Sequence, residues 1–374
     1  MERYLKNHRE WVDETWEKLD KKLSRIAIKS RDFIPYTTKD GKHITQNDEI
    51  NWWTNGFFGG MMWIMYIGTK NEEYRITAEH QEELLEKAFE TYTKLHHDIG
   101  FMWDITSGVN YRVTGSEKSK NRFAKAAAVL ASRFNIEGDY IRAWNNPADI
   151  GVTIIDCMMN IPMLYRVNEI NGDNRFNAIA IRHADTTMAH HIRDDGSVYH
   201  IVEHDHKTGE VTGYRGGQGY AIESSWARGQ AWAVYGYVLS YIHTGDIKYL
   251  DVAKKVAHYF IANVSDSDYL PYVDFRTPDE PVVYDSTSGA IAACGLIEIA
   301  KAVPEHEKKI YINAAIKILK ALEENFCDWT EEEDSVLQKG SEAYTWGLHK
   351  PIIYGDFFFA EALLKLKGND FLMW

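Results

Sequence analysis

A chain of 374 residues with 45% hydrophobic and 26% charged content has the make-up of a folded globular protein, not of a disordered or membrane-embedded one. Its net charge of −13 argues against a nucleic-acid or anionic-membrane partner, though local cations in a cleft still leave an anionic small substrate open. The three cysteines, Cys157, Cys294 and Cys327, have neither metal-ligand spacing nor a disulfide framework, and the charged first residues lack an apolar signal core, so a reduced, cytoplasmic protein is expected.

Helical periodicity dominates from the start. Tyr4–Ile26 opens with Leu5, Trp11, Trp16 and Leu19 set amid charge. The same period predicts helices near Phe57–Ile67, Glu82–Lys94, Asn121–Arg133, Thr153–Val167 and Arg175–His190. It continues through Ser225–Thr244, Lys248–Val264, Ser286–Ala302, Glu305–Asn325 and Asp356–Leu366. Only eight prolines interrupt the chain, which favours long helices. Asn171–Gly172–Asp173 and Gly245–Asp246 read as turns between paired helices, Gly taking the left-handed position and Asp capping the next helix. A hairpin of roughly 60 residues fits about six times into this length, which predicts a closed ring of helix pairs in one domain, residues 1–374. Gly196–Glu203 and Leu270–Phe275 are β-like and are expected as loops or hairpins at one end of the ring.

The unusual chemistry is concentrated in a few segments. Twelve Trp and 22 Tyr must fill a large core or line a pocket. The run YRGGQGYAIESSWARGQAW, 214–232, sets Tyr214, Tyr220, Trp226 and Trp232 among Arg and Gln, a mixture suited to holding a sugar by its face and its hydroxyls or carboxylate. Arg228 and Trp232 are four apart and share one helical face. In HHDIGFMWD, Asp98 either caps the next turn or acts as an acid. In DIGVTIIDCMMN, Asp156 falls in an apolar predicted helix, where a carboxyl is either paired or pushed up in pKa, as a general acid requires; Asp149 is expected to cap that helix. The adjacent Trp52 and Trp53 are unlikely partners on one core face, which leaves two readings: one of them lines a cleft, or both belong to a core aromatic run at the start of a helix. Tyr354–Gly355–Asp356 reads as a helix start capped by Asp356. Dinucleotide, P-loop, zincin and serine-hydrolase motifs are absent.

In order, WWTNGFFGGMMW, HHDIGF, IIDCMMN, GGQGY, SSWARGQAW and YGDFFFAEAL resemble the unsaturated glucuronyl hydrolases of glycoside hydrolase family 88 from about Asn51 onward. Parts of the motifs are also shared with the unsaturated rhamnogalacturonyl hydrolases of family 105. The resemblance implies an all-α, (α/α)6 barrel of six helical hairpins. It makes Asp156 the general acid/base and Asp98 its acidic companion. Trp52, His97, Trp144, His200, Gln218, Arg228 and Trp232 become the lining of a subsite for an unsaturated uronate. It implies no metal and no cofactor, and the partner is an oligosaccharide left by a polysaccharide lyase. A sugar 2-epimerase on the same barrel and a non-catalytic carbohydrate-binding protein are the competing classes. The Asp98/Asp156 pair with GGQGY and SSWARGQAW favours the hydrolase. Sulfation preference, linkage and oligomeric state are left open, as is the role of the loop Gly340–Pro351.

Overall fold

The computed structural model describes residues 2–46 and 49–374. Twelve helical segments make two concentric rings, the (α/α)6 barrel expected from the hairpin repeat. The inner ring contains Phe57–Thr69, the broken segment 99–114, Pro162–Asn171, Ala227–Thr244, Ser286–Ala302 and Ile353–Leu366. The outer ring contains Arg9–Lys29, Glu72–Leu85, Glu117–Ala131, Asn174–His191, Ile247–Ser265 and Glu305–Phe326. Ile353–Leu366 packs back on Phe57–Thr69 and closes the inner ring.

Hydrophobic content assigns each helix to its ring. Every residue from Ser286 to Ala300 is buried, as is every residue from Ile353 to Leu366, so these helices have partners on all sides. Ile247–Ser265 buries only one stripe, Tyr249, Leu250, Ala253, Val256, Ala257, Phe260 and Val264. The predicted turns form as expected: Gly172 and Gly245 take left-handed backbone, and the Asp173 and Asp246 side chains accept from the amides of Arg175 and Lys248.

Two predicted elements differ in kind, and one inner helix was not predicted. Glu82–Lys94 straddles a boundary between an α-helix, Glu72–Leu85, and a 3-10 segment, Glu86–Lys94. The inner helix at 99–114 is split by a π-turn, Asp104–Gly108, which breaks the apolar period that would have announced it. Thr153–Val167 is not one helix. It begins as a strand, Val152–Ile154, becomes a 3-10 turn, Ile155–Met159, and only then enters Pro162–Asn171. The apolar residues read as helix are β-branched at the strand, and Pro162 sets the start of the true helix.

That strand orders the functional end of the barrel. Val152–Ile154 pairs antiparallel with Ile201–His204, which pairs with Val211–Arg215. Ile154 lies opposite Ile201, and the Ile155 amide donates to the His200 carbonyl, so His200 and Asp156 leave the sheet side by side. Of the two β-like segments, Gly196–Glu203 thus supplies part of a strand, while Leu270–Phe275 forms only isolated bridges, Trp226 with Asp274 and Tyr272 with Tyr284.

Two expected caps have other work. Asp149 accepts from the Arg215 guanidinium at 2.8 Å, tying the sheet to the loop before Asp156. Asp356 lies inside its helix and accepts from the Ser335 hydroxyl and the Val336 and Leu337 amides, holding a loop against the barrel.

Close packing behind the turn at Asp156 depends on Gly236, where a Cβ would sit 2.6 Å from the Met158 Cβ and 2.7 Å from its carbonyl oxygen. Gly236→Ala should therefore destabilise the fold by about 1–3 kcal/mol, read as a lowered denaturant midpoint, because the 3-10 turn has to move outward.

Candidate active site

A cavity of about 380 Å³ opens at the sheet end of the barrel. Eight of the nine residues singled out from the sequence line it: Trp52, His97, Asp98, Trp144, Asp156, His200, Gln218 and Arg228. They come from six separate stretches of chain, brought together because the inner helices begin or end at this rim. Trp232 is the exception. It is fully buried behind the wall, 5.1 Å from the Phe101 ring and 5.5 Å from Phe358. Sharing a helical face with Arg228 put it one turn deeper in the barrel, so it backs the site instead of lining it.

The choices between neighbours dissolve, since Trp53 and His96 line the cavity along with Trp52 and His97. Trp53 also packs on Phe57, Phe101 and Tyr354. Tyr36 is a lining residue far from every motif; Glu342 and Trp346 come from the loop Gly340–Pro351 and Tyr354 from YGDFFFAEAL, segments that were noted in the sequence without being assigned to the lining. The aromatic run 214–232 contributes mostly support. Tyr214 stacks on Tyr199 and Trp226 packs its ring 4.2 Å from His200, while Tyr220 is nearly half exposed.

Asp98 and Asp156 are joined through Asn160. Its side-chain amide donates to Asp98 Oδ1 and to the Asp156 carbonyl, both at 3.1 Å, and its Oδ1 accepts from the Phe101 amide. Asn160 follows Asp156 by four residues, one turn onward, so the quoted IIDCMMN motif contained the residue that registers both acids. His200 Nε2 stands 3.6 Å from Asp156 Oδ1. His96 Nδ1 and His97 Nε2 each stand 3.4 Å from Asp98 Oδ2.

Burial sets the protonation states. The Asp156 side chain is 14% exposed, and its carboxyl is pushed up to about 7 by desolvation. The Arg228 charge and the indole of Trp232 pull against that shift without cancelling it. Desolvation, with the neighbouring Asp156, holds the Asp98 carboxyl well above the usual range. The imidazoles go the other way. Burial lowers His200 to about 3 and His96 to about 4, and holds His97 well below its ordinary value, so all three are neutral donors or acceptors near pH 7. The centre is therefore a pair of carboxyls poised to hold a proton, ringed by neutral imidazoles and indoles.

Arg228 is 1% exposed and its guanidinium is already occupied. Nη1 donates to Asp285 Oδ2 at 2.5 Å and to the Ser341 carbonyl, and Nη2 donates to the Glu342 carbonyl. It brings positive charge to the wall and fastens the loop 340–351 to it. Gln218 makes the same attachment, donating to the Glu342 carbonyl at 2.5 Å. Gly217, which lines the cavity beside it, has left-handed backbone, and a Cβ there would collide with the His200 ring.

Among the described residues, His96, His97 and Asp98 form a group whose ligand atoms lie within 4.8 Å of one another, types that suit a divalent metal. The same distances fit two imidazoles bracketing one carboxyl oxygen, and the Asp98 amide donates to His96 Nδ1 at 3.5 Å.

The model of Glycosyl Hydrolase Family 88 matches residues 27–358. An unsaturated glucuronyl hydrolase of Bacillus sp. (strain GL1) is 33% identical over 92% of this chain and 93% of its own. The solved structure of unsaturated glucuronyl hydrolase from Streptococcus agalactiae superposes with a TM-score of 0.88 at 30% identity, covering 97% of this chain and 93% of that one. A mutant of that protein complexed with dGlcA-GalNAc6S superposes at 0.82 with 28% identity over the same shares.

Removing Arg228 strands a buried carboxylate. Arg228→Met should destabilise the protein by about 3–5 kcal/mol in chemical unfolding, because Asp285, with no exposed surface, loses its counter-charge.

Proposed function

The chain belongs to Glycosyl Hydrolase Family 88, and from that membership and the Asp98–Asp156 centre we propose that it removes the unsaturated uronic acid from the non-reducing end of lyase-generated oligosaccharides by hydrating the C4=C5 bond. The observation that carries this reading is a carboxyl at about 7, largely buried, at the wall of a cavity of sugar size. The curated relatives are named for unsaturated glucuronyl and chondroitin disaccharide substrates, and the Streptococcus agalactiae relative holds a dGlcA-bearing ligand.

The substrate's C4=C5–O5 unit is a vinyl ether. Asp156, protonated, gives its proton to C4, and positive charge develops at C5, shared with the ring oxygen. The Asp156 carboxylate then takes a proton from water as the water oxygen bonds to C5. The C5 hemiketal opens by breaking the C5–O5 bond, and O5 becomes a hydroxyl on C1. C1 is now a hemiacetal, which expels the partner sugar as an alcohol and leaves an aldehyde. One water is consumed in all, and a single carboxyl both donates and accepts a proton. The glycosidic oxygen is never the first site of protonation, so the separation of the two acids carries no retaining or inverting meaning.

Each remaining residue has a role consistent with its setting. Asp98 faces His96 and His97 and meets sugar hydroxyls. Trp52 Nε1 and His200 Nε2 are buried polar atoms that make no hydrogen bond within the protein, which suits them to the uronate's oxygens. Trp144 offers a ring to a sugar face, and Arg228 and Gln218 keep the wall in place while Arg228 adds positive potential. A single domain and a cytoplasmic setting belong to the same reading; the three thiols are free and two of them are buried.

Asp156→Asn should lose at least about 10³-fold in turnover of an unsaturated disaccharide, followed as decay of the double bond's ultraviolet absorbance. Turnover close to that of the native enzyme would remove Asp156 from the chemistry.

A further inference from the structure

Two loops that are separate in the chain, 95–98 and 142–145, meet at one side of the cavity. The first carries His96, His97 and Asp98 into the lining, and the second carries Trp144. Resting on the function proposed above, we propose that Arg133, which does not itself line the cavity, is a positioning residue for the reaction: its guanidinium locks the Trp144 loop in register with the Asp98 loop, so that the indole is already in place when the sugar arrives.

Arg133 follows the outer helix Glu117–Ala131 and spends its whole donor set on these two loops. Nε donates to the Arg142 carbonyl at 2.9 Å. Nη1 donates to the Leu95 carbonyl at 3.1 Å and to Asn145 Oδ1 at 2.7 Å. Nη2 donates to the Ala143 carbonyl at 2.9 Å and to the Trp144 carbonyl at 3.0 Å. These use every N–H that a guanidinium has, all on neutral oxygens. One planar fork thus grips four consecutive residues, 142–145, together with the residue before His96. Bonds from a charged donor are stronger than those between neutral groups. Asn145 Nδ2 adds donations to the Thr93 and Leu95 carbonyls at 3.2 and 3.1 Å, and the His97 amide donates to the Ala143 carbonyl at 3.1 Å.

The two acids have supports of their own. Asp98 accepts from Asn160, and Asp156 follows the strand Val152–Ile154. Trp144 is placed less securely by packing, since it is only half-buried and Asn145, Asn146, Pro147 and Ala148 after it are exposed. Loss of the Arg133 fork therefore frees Trp144 before it disturbs either carboxyl. A lysine at this position keeps the charge, but a point charge with three donors on a flexible stem cannot hold carbonyls of both loops in one plane. A ring that meets the sugar face binds ground state and transition state alike, so its displacement falls on substrate binding and not on the hydration step.

The test measures kcat and KM separately for an unsaturated disaccharide in the native enzyme, Arg133→Lys and Arg133→Met. Both variants should raise KM by at least about tenfold while kcat falls by less than about threefold, and the pH dependence of kcat, which belongs to Asp156, should stay where it is. An Arg that only stabilises the fold would lower the denaturant midpoint and leave KM of the folded enzyme unchanged, and that result would overturn the proposal. So would a fall in kcat at unchanged KM, a displaced pH profile, or native KM in Arg133→Lys, which would show that charge alone suffices. Arg133→Lys decides the matter if Arg133→Met does not fold. If neither folds, Arg133 is a strut of the whole barrel and the proposal fails. Failure of the native enzyme to consume the disaccharide would instead strike at the proposed function.

Discussion

Desolvation of one carboxyl governs this active site. Asp156 leaves a short strand on a 3-10 turn, beside Ile155, Cys157, Met158 and Met159, all of them buried. Its Oδ1 is buried without a hydrogen-bond partner, and the nearest imidazole, His200, is itself driven neutral by burial. With no salt bridge to an Arg or Lys, the carboxyl keeps its proton to about pH 7. The sign follows directly: below that value the group is an acid able to protonate carbon, and above it the group is a base. The inner ring of helices, the three-stranded sheet and the glycine that admits Met158 all serve to hold that turn in a dry position.

Arg228 shows how the same low-dielectric setting is kept in balance. A lone guanidinium at full burial would be costly, and placed directly on Asp156 it would pull the proton off. Pairing with Asp285 and bonding to two carbonyls of the loop satisfies it, so that Asp156 feels its charge without forming a salt bridge. The residue is therefore structural and electrostatic together. The loop it fastens brings Glu342 to the wall of the cavity.

Much of this was legible in sequence, for physical reasons that differ by element. The outer helices announce themselves through one-sided apolar stripes, and the Gly–Asp turns through backbone freedom and capping, so the hairpin repeat and the barrel followed. An isolated carboxyl in an apolar run is costly, which pointed to Asp156. The split of Thr153–Val167 into strand, turn and helix was hidden because a buried strand and a buried helix share the same apolar composition. The segment 99–114 was hidden because its π-turn breaks the period. Trp232 was placed in the lining since a shared helical face says nothing of depth. Tyr36 and Glu342 meet only in three dimensions, across 306 residues of chain, and no local pattern reports such a pair.

The central claim is that Asp156 is a neutral acid near pH 7 because water is kept from it. The most direct measurement is a titration of that one carboxyl in the native enzyme by carbon-13 NMR of labelled aspartate, its resonance assigned by loss in Asp156→Asn. A midpoint near 7 is the result predicted here. A midpoint near 4, where an ordinary solvated aspartate titrates, would contradict the account.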